Sequence, residues 1–186
     1  MRKELKHFTG SESVSRIYLI GMMGAGKSML ARILAQRLDW IWIDSDACVE
    51  RNSCMPLTEL FALFGEEEFR RRERECIQQT VKFRNIVVAC GGGAPCYFHA
   101  MDFMLSNGIV VYLSARIDTL INRLQMEENT RPLLSIPDIS LEERLRIVLA
   151  ERESVYQLAP YTIETDGLSE EEVVDMVFGL TSQNVK

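Results

Sequence analysis

Residues 16–28 read Arg-Ile-Tyr-Leu-Ile-Gly-Met-Met-Gly-Ala-Gly-Lys-Ser. The opening run, 16–20, is short, apolar and β-branched, which predicts a buried strand. Gly21-Met22-Met23-Gly24-Ala25-Gly26-Lys27-Ser28 then matches G-x-x-x-x-G-K-[ST]. Beyond it, Leu30, Ile33, Leu34 and Leu38 fall at i, i+3, i+4 and i+8, one face of a helix. Strand, glycine loop and helix together give the loop its phosphate-binding context. Its glycines let successive backbone N–H groups point inward as a nest for phosphate oxygens, and the helix N-terminus adds partial positive charge. Lys27 is placed to reach β- and γ-phosphates, and the Ser28 hydroxyl to bind Mg²⁺. Gly24, Ala25, Gly26, Lys27, Ser28 and Met29 are the residues expected to contact ATP.

Outward from this stretch, further strands are predicted at 40–43 (WIWI), 86–90 (IVVAC), 109–113 (IVVYL) and 161–164 (YTIE). The middle runs are almost continuously apolar, as strands covered on both faces should be. Helical patterns are expected at 57–64, 66–83, 117–127, 141–157 and 169–180. Such alternation predicts βαβ units, hence a P-loop α/β fold. The expected architecture is three layers, α/β/α, around a five-stranded parallel sheet, with ligands at the carboxyl ends of the strands.

Composition narrows the class. The chain has 186 residues and a formal net charge of −6, with 47% hydrophobic and 26% charged residues. That suits one globular domain, expected over 16–180 after an N-terminal arm, 1–15. An acidic balance argues against nucleic acid as the main partner. The longest apolar run, Ile17 to Gly26, falls short of the ~20 residues a membrane span needs. The arm has no apolar core for a signal peptide, and its Glu4 and Glu12 argue against a transit sequence. The five cysteines (48, 54, 76, 90, 96) include no C-x-x-C pair, which speaks against a disulfide or zinc framework and for the cytoplasm.

Neither 86–90 nor 109–113 ends in the aspartate that motor-type ATPases and GTPases place on a second core strand. The nearest acidic element is Asp44-Ser45-Asp46, closing the second strand. On an extended chain, carboxylates at i and i+2 point the same way, so both would face the phosphate loop. The alternative is a helix cap for a segment beginning near Ala47, and the two roles are compatible.

Three further elements complete a pattern: Gly65-Glu66-Glu67-Glu68-Phe69-Arg70-Arg71-Arg72-Glu73, Gly91-Gly92-Gly93 directly after a strand, and Arg131-Pro132-Leu133-Leu134 followed by Arg152 in Glu151-Arg152-Glu153-Ser154-Val155-Tyr156. With the phosphate loop and the D-S-D pair, the set resembles the shikimate kinase family over roughly residues 16–178. The resemblance implies that ATP phosphorylates the 3-hydroxyl of shikimate in a cytoplasmic monomer of the chorismate route to aromatic amino acids. By the same resemblance, Asp46 holds the shikimate hydroxyls and is the base for the reacting one, and Asp44 joins Ser28 at Mg²⁺. Arg70 and Arg152 clamp the substrate carboxylate, and the Gly92 backbone touches substrate. Arg131 belongs to a mobile lid, about 116–140, that closes over the phosphates, and Arg123 lies near the adenine-facing position. Met29 stands where the family usually has threonine.

The residue chemistry is consistent with this. Arginine's planar fork suits a carboxylate where lysine's point charge does not, and glycines beside the acceptor admit a sugar-like ring. Plainer roles compete at several positions. Glu66/Arg70, Glu67/Arg71 and Glu68/Arg72 are all i, i+4 pairs of a solvated helix, and only Arg70, beside Phe69, is a pocket candidate by the family resemblance. Phe61 and Phe64 look like core, Cys90 and Cys96 like small packing residues, and His99 like loop surface. The alternatives are a related kinase for gluconate or a nucleoside monophosphate, or a regulatory module that binds nucleotide without turnover.

Overall fold

The computed structural model describes residues 15–126 and 139–183. Strands β1 (Arg16–Ile20), β2 (Ile41–Asp44), β3 (Ile86–Ala89), β4 (Ile109–Ser114) and β5 (Tyr161–Glu164) form one sheet in the order β2-β3-β1-β4-β5. All four pairings are parallel, with Leu19 opposite Ala89 on one side and Val111 on the other. The expected five-stranded parallel sheet is therefore present.

The helices are α1 (Lys27–Leu38), α2 (Ser45–Ser53), α3 (Leu57–Gln79), α4 (Ala100–Asn107), α5 (Ile117–Met126), α6 (Leu141–Tyr156) and α7 (Glu170–Gln183). The chain steps one way from β1 to β2 and the other way at every later crossover. Right-handed crossovers then put α1 on one face and the helices between β2 and β5 on the other. α7 packs on α1, completing three layers. Neighbouring β1 and β3 lead off in opposite directions, so the switch-point crevice lies between their carboxyl ends.

β1, β3 and most of β4 are buried on both faces. The run 40–43 is not: β2 starts one residue later and forms the sheet edge, leaving Ile41 and Trp42 substantially exposed. An apolar run alone does not distinguish an edge from a centre. α3 is broken at Gly65, whose φ of 76° is in the left-handed region, where the sequence predicted one helix ending and another beginning.

Two helices showed no apolar period in the sequence, although the possible cap at Asp44-Ser45-Asp46 pointed to the first. α2 buries only Ser45 and Val49, so it has no apolar stripe. α4 is eight residues long, too short to display a period. The main core packs on the sheet, and a smaller one of Val49, Leu60, Phe69 and Cys76 joins α2 to α3. This second core fixes the helices that carry Asp46 and Arg70. No helix among the described residues is long and apolar enough to cross a membrane.

Candidate functional site

The glycine loop leaves β1 at Gly21 and enters α1 through Gly26, whose φ of 85° only glycine adopts freely. Gly24 is also left-handed and lies against Leu120 and Leu124 of α5, so a side chain there would meet packed atoms. Lys27 is buried and folds back over the loop, donating to the carbonyls of Gly21 at 3.0 Å and Met22 at 2.8 Å. Its ammonium is thus held at the loop's mouth.

Asp44 ends β2 and caps α2: its Oδ1 accepts from the N–H groups of Asp46 at 2.9 Å and Ala47 at 3.3 Å. Its Oδ2 accepts from the Ser28 hydroxyl. Both expected roles are therefore compatible, but the geometry behind the first is corrected. Asp46 sits in the first turn of α2, not on an extended chain, and the helix begins at Ser45 rather than near Ala47. A cavity of about 250 Å³ is lined by Lys27, Ser28, Asp44, Asp46 and Gly91. Ser28 and Asp44 offer adjacent hard oxygen donors, which fit a Mg²⁺ ion.

Across the crevice, Gly91–Gly93 follow β3. The Gly91 N–H donates to Ser45 Oγ at 2.7 Å, tying this turn to α2. A methyl group on Gly91 would collide with the carboxylates of Asp46 and Glu73. On Gly93 it would lie 2.6 Å from the Arg70 guanidinium. On Gly92 it would lie 3.4 Å from Arg152 Nη1 and 3.6 Å from both the Gly21 carbonyl and the Met23 nitrogen. Close approach thus requires glycine at 91 and 93, whereas at 92 a methyl group would make ordinary contacts.

Arg70 is buried on α3, bonded to Glu73 at 2.8 Å and Glu66 at 3.0 Å, with its guanidinium 4.8 Å from the ring centroids of both Phe69 and Tyr97. Arg152 is buried on α6, and its Nη1 makes no hydrogen bond among the described residues. Glu73 Oε1 likewise makes none. Burial pushes the Glu73 carboxyl up to about 7, against the pull of Arg70 and with Asp46 adding to the rise. Unpaired polar atoms that deep are costly unless a ligand satisfies them.

The sequence reading missed Glu73 as a site residue, although Phe69, Arg70, Glu73, Cys76 and Ile77 form the buried stripe of α3 at helical spacing. It also missed Tyr156, which donates to the Gly92 carbonyl at 2.5 Å; no pattern on the chain signals that contact. Two further expectations need correction. Phe64 is exposed while Phe61 packs on Phe69, their centroids 4.6 Å apart. Arg71 pairs with Glu68 and Glu75 rather than Glu67, because i, i+3 is also within reach on a helix.

Arg123 donates to the Gly24 carbonyl at 3.5 Å and to Thr165, lining a cavity of about 550 Å³ with Gly24–Gly26, Met29, Leu168 and Val173. This cavity shares Gly24, Gly26 and Met29 with the one that Asp46 lines, but not Asp46 itself. His99 is exposed and bonded to Asp102. Arg131 and much of the expected lid lie outside the described residues.

Residues 23–180 match the family model described as shikimate kinase. A shikimate kinase of Azobacteroides pseudotrichonymphae is 43% identical over 148 residues, covering 77% of this chain and 86% of that protein. The solved shikimate kinase of Acinetobacter baumannii in complex with shikimate superposes with a TM-score of 0.85 at 34% identity, covering 93% of this chain and 96% of that one. That of Bacteroides thetaiotaomicron gives 0.83 at 33%, covering 91% and 99%.

Proposed function

The chain belongs to the shikimate kinase family, and from that premise we infer that it transfers the γ-phosphoryl group of ATP to the 3-hydroxyl of shikimate, releasing ADP. One observation carries the reading to the residues. The position a Gly92 side chain would take is within 3.6 Å of the phosphate loop and 3.4 Å from Arg152. Phosphate-binding backbone and a buried acceptor cation thus converge on one glycine, which brings donor and acceptor ends together.

In this reading the loop amides and Lys27 hold the phosphates, and a bound phosphate replaces the loop carbonyls as the lysine's partner. Ser28 and Asp44 hold Mg²⁺, which neutralises phosphate charge when bound. Arg70 and Arg152 take the shikimate carboxylate as charge-assisted pairs. Asp46 accepts the proton of the attacking hydroxyl, and the Gly92 backbone lies against the ring. Arg123 is assigned to the adenine side. Arg131 is assigned to the phosphates on the family resemblance alone, as a lid residue that helps exclude water. The same resemblance supports a single kinase domain over 16–180 working as a cytoplasmic monomer in aromatic amino-acid biosynthesis.

The test is ADP release from Mg-ATP by the full chain, with and without shikimate, beside gluconate and nucleoside monophosphates. Turnover dependent on shikimate is expected. Folded protein that turns over another acceptor, or none, overturns the reading.

A further inference from the structure

Beneath the acceptor site, Cys76 of α3 lies in the small core with Val49, Leu60 and Phe69, and Cys48 of α2 packs against it. The Asn52 amide spans both, its Nδ2 lying 3.7 Å from Cys48 Sγ and 3.5 Å from Cys76 Sγ. Neither sulfur has a part in phosphoryl transfer. We propose that Cys48 and Cys76 are a redox-active dithiol that peroxide closes to a disulfide between α2 and α3, reversibly weakening the acceptor site.

The two cysteines differ as an attacking and a resolving thiol should. Cys48 is half-buried and reachable, whereas Cys76 is buried. The neighbouring Cys76 thiol, opposed by partial burial and helped by the Arg51 charge, brings Cys48 down to about 7. The neighbouring Cys48 sulfur and burial push the Cys76 thiol up. Near neutral pH, therefore, Cys48 supplies the thiolate and Cys76 keeps its proton. The Cys48 thiolate attacks one oxygen of hydrogen peroxide, the O–O bond breaks, and hydroxide leaves and is protonated to water. This gives the Cys48 sulfenic acid. Cys76 sulfur then attacks Cys48 sulfur, forming S–S and breaking S–O, and the departing hydroxide takes the Cys76 proton. Two thiols lose two electrons and two hydrogens, one peroxide is reduced, and two waters form.

A disulfide holds its sulfurs about 2.0 Å apart, inside the closest approach of two unbonded sulfurs. Closure therefore draws α2 and α3 together and displaces the Asn52 amide. Asp46 stands two residues before Cys48 on α2, and Glu73 one turn before Cys76 on α3. Movement of about 1 Å at such groups costs up to ~10²-fold in rate. The effect on shikimate rests on the function proposed above, but formation of the bond does not.

The experiment treats the full chain at neutral pH with hydrogen peroxide and then blocks remaining thiols. Loss of two hydrogens from the intact mass, with a Cys48–Cys76 linked peptide that dithiothreitol releases, is expected. A Cys48–Cys54 link, an intermolecular link, or Cys48 sulfinic acid without a link overturns the dithiol, and these readouts need no variant. Kinetically, kcat/KM for shikimate should fall roughly tenfold or more on oxidation. Affinity for ATP should hold, dithiothreitol should restore activity, and Cys48→Ser and Cys76→Ser should be unresponsive. A crosslink that leaves shikimate kinetics unchanged overturns the coupling. If the reduced protein never turns over shikimate, the functional reading fails and takes the coupling with it, while the mass result still decides the bond.

Discussion

Arg70 Nη1 and Glu73 Oε2 are 2.8 Å apart, one turn from each other on α3, with only 3% and 1% of their side chains exposed. The pair is one-sided: Glu73 Oε1 makes no hydrogen bond among the described residues and shares the space around Gly91 with Asp46. Burial therefore outweighs the arginine, and the carboxyl binds its proton more tightly in the folded state than in the unfolded one. Buried ion pairs are weak evidence of stability, and this one trades stability for a fixed Arg70.

The sign of the pH dependence follows. Glu73 titrates near 4.5 when unfolded and near 7 when folded, so its contribution is complete below 4.5 and is lost as pH rises through 7. Urea midpoints should decline across that window, and Glu73→Gln should flatten the decline. Equal slopes in the two proteins would show that Glu73 is not the group responsible.

Arg152, proposed above to take the shikimate carboxylate, has an open donor, its Nη1, beside Gly92. A charge-assisted bond of about 1.5–3 kcal/mol predicts that Arg152→Ala raises the KM for shikimate roughly 10–150-fold. KM for ATP should stay near its original value. Arg152→Lys should recover only part of the loss, because an ammonium lacks the planar fork. A parallel rise for ATP would place the residue on the phosphate side instead.

What could be read from the chain had a local physical signature. The phosphate loop needs glycines at fixed offsets, and β1 and α1 carry their own periods, so residues 16–38 specify their structure unaided. Arg70 stood out through the family resemblance and its place beside Phe69, since Glu66 pairs with it as with a solvated arginine. Glu73 lay in the same quoted stretch, but a buried acid resembles its solvated neighbours until the helix face is known. Tyr156 meets Gly92 across 64 positions of chain, a contact with no local trace. The edge position of β2 depends on strand order, which four residues of apolar sequence do not encode. The family resemblance carried the assignment of roles, and the geometry of the described residues is compatible with it.

Asp46 lies in the first turn of α2 and faces both the cavity of Lys27 and Ser28 and the Gly91 turn. If it takes the hydroxyl proton, Asp46→Asn should lower kcat about 10²–10⁴-fold. The fold should remain, because Asp44 rather than Asp46 caps the helix. Steady-state turnover with matched thermal melts measures this. Near-normal kcat in a folded variant would assign Asp46 to binding alone.

Tyr156 separates a positioning role from a merely structural one. It follows Arg152 by one turn of α6, donates to the Gly92 carbonyl at 2.5 Å, and packs on Tyr112 with ring centroids 5.1 Å apart. Burial pushes its phenol up, so it remains a donor at neutral pH. Tyr156→Phe keeps the ring and removes the donor, leaving a part-buried carbonyl without this partner at a cost of about 1 kcal/mol. Stability should fall by that amount. If the hydroxyl also sets the Gly92 backbone against shikimate, KM for shikimate should rise while KM for ATP and kcat stay close to the original values. A variant that melts earlier yet binds shikimate normally would show that Tyr156 holds the turn together without shaping the site.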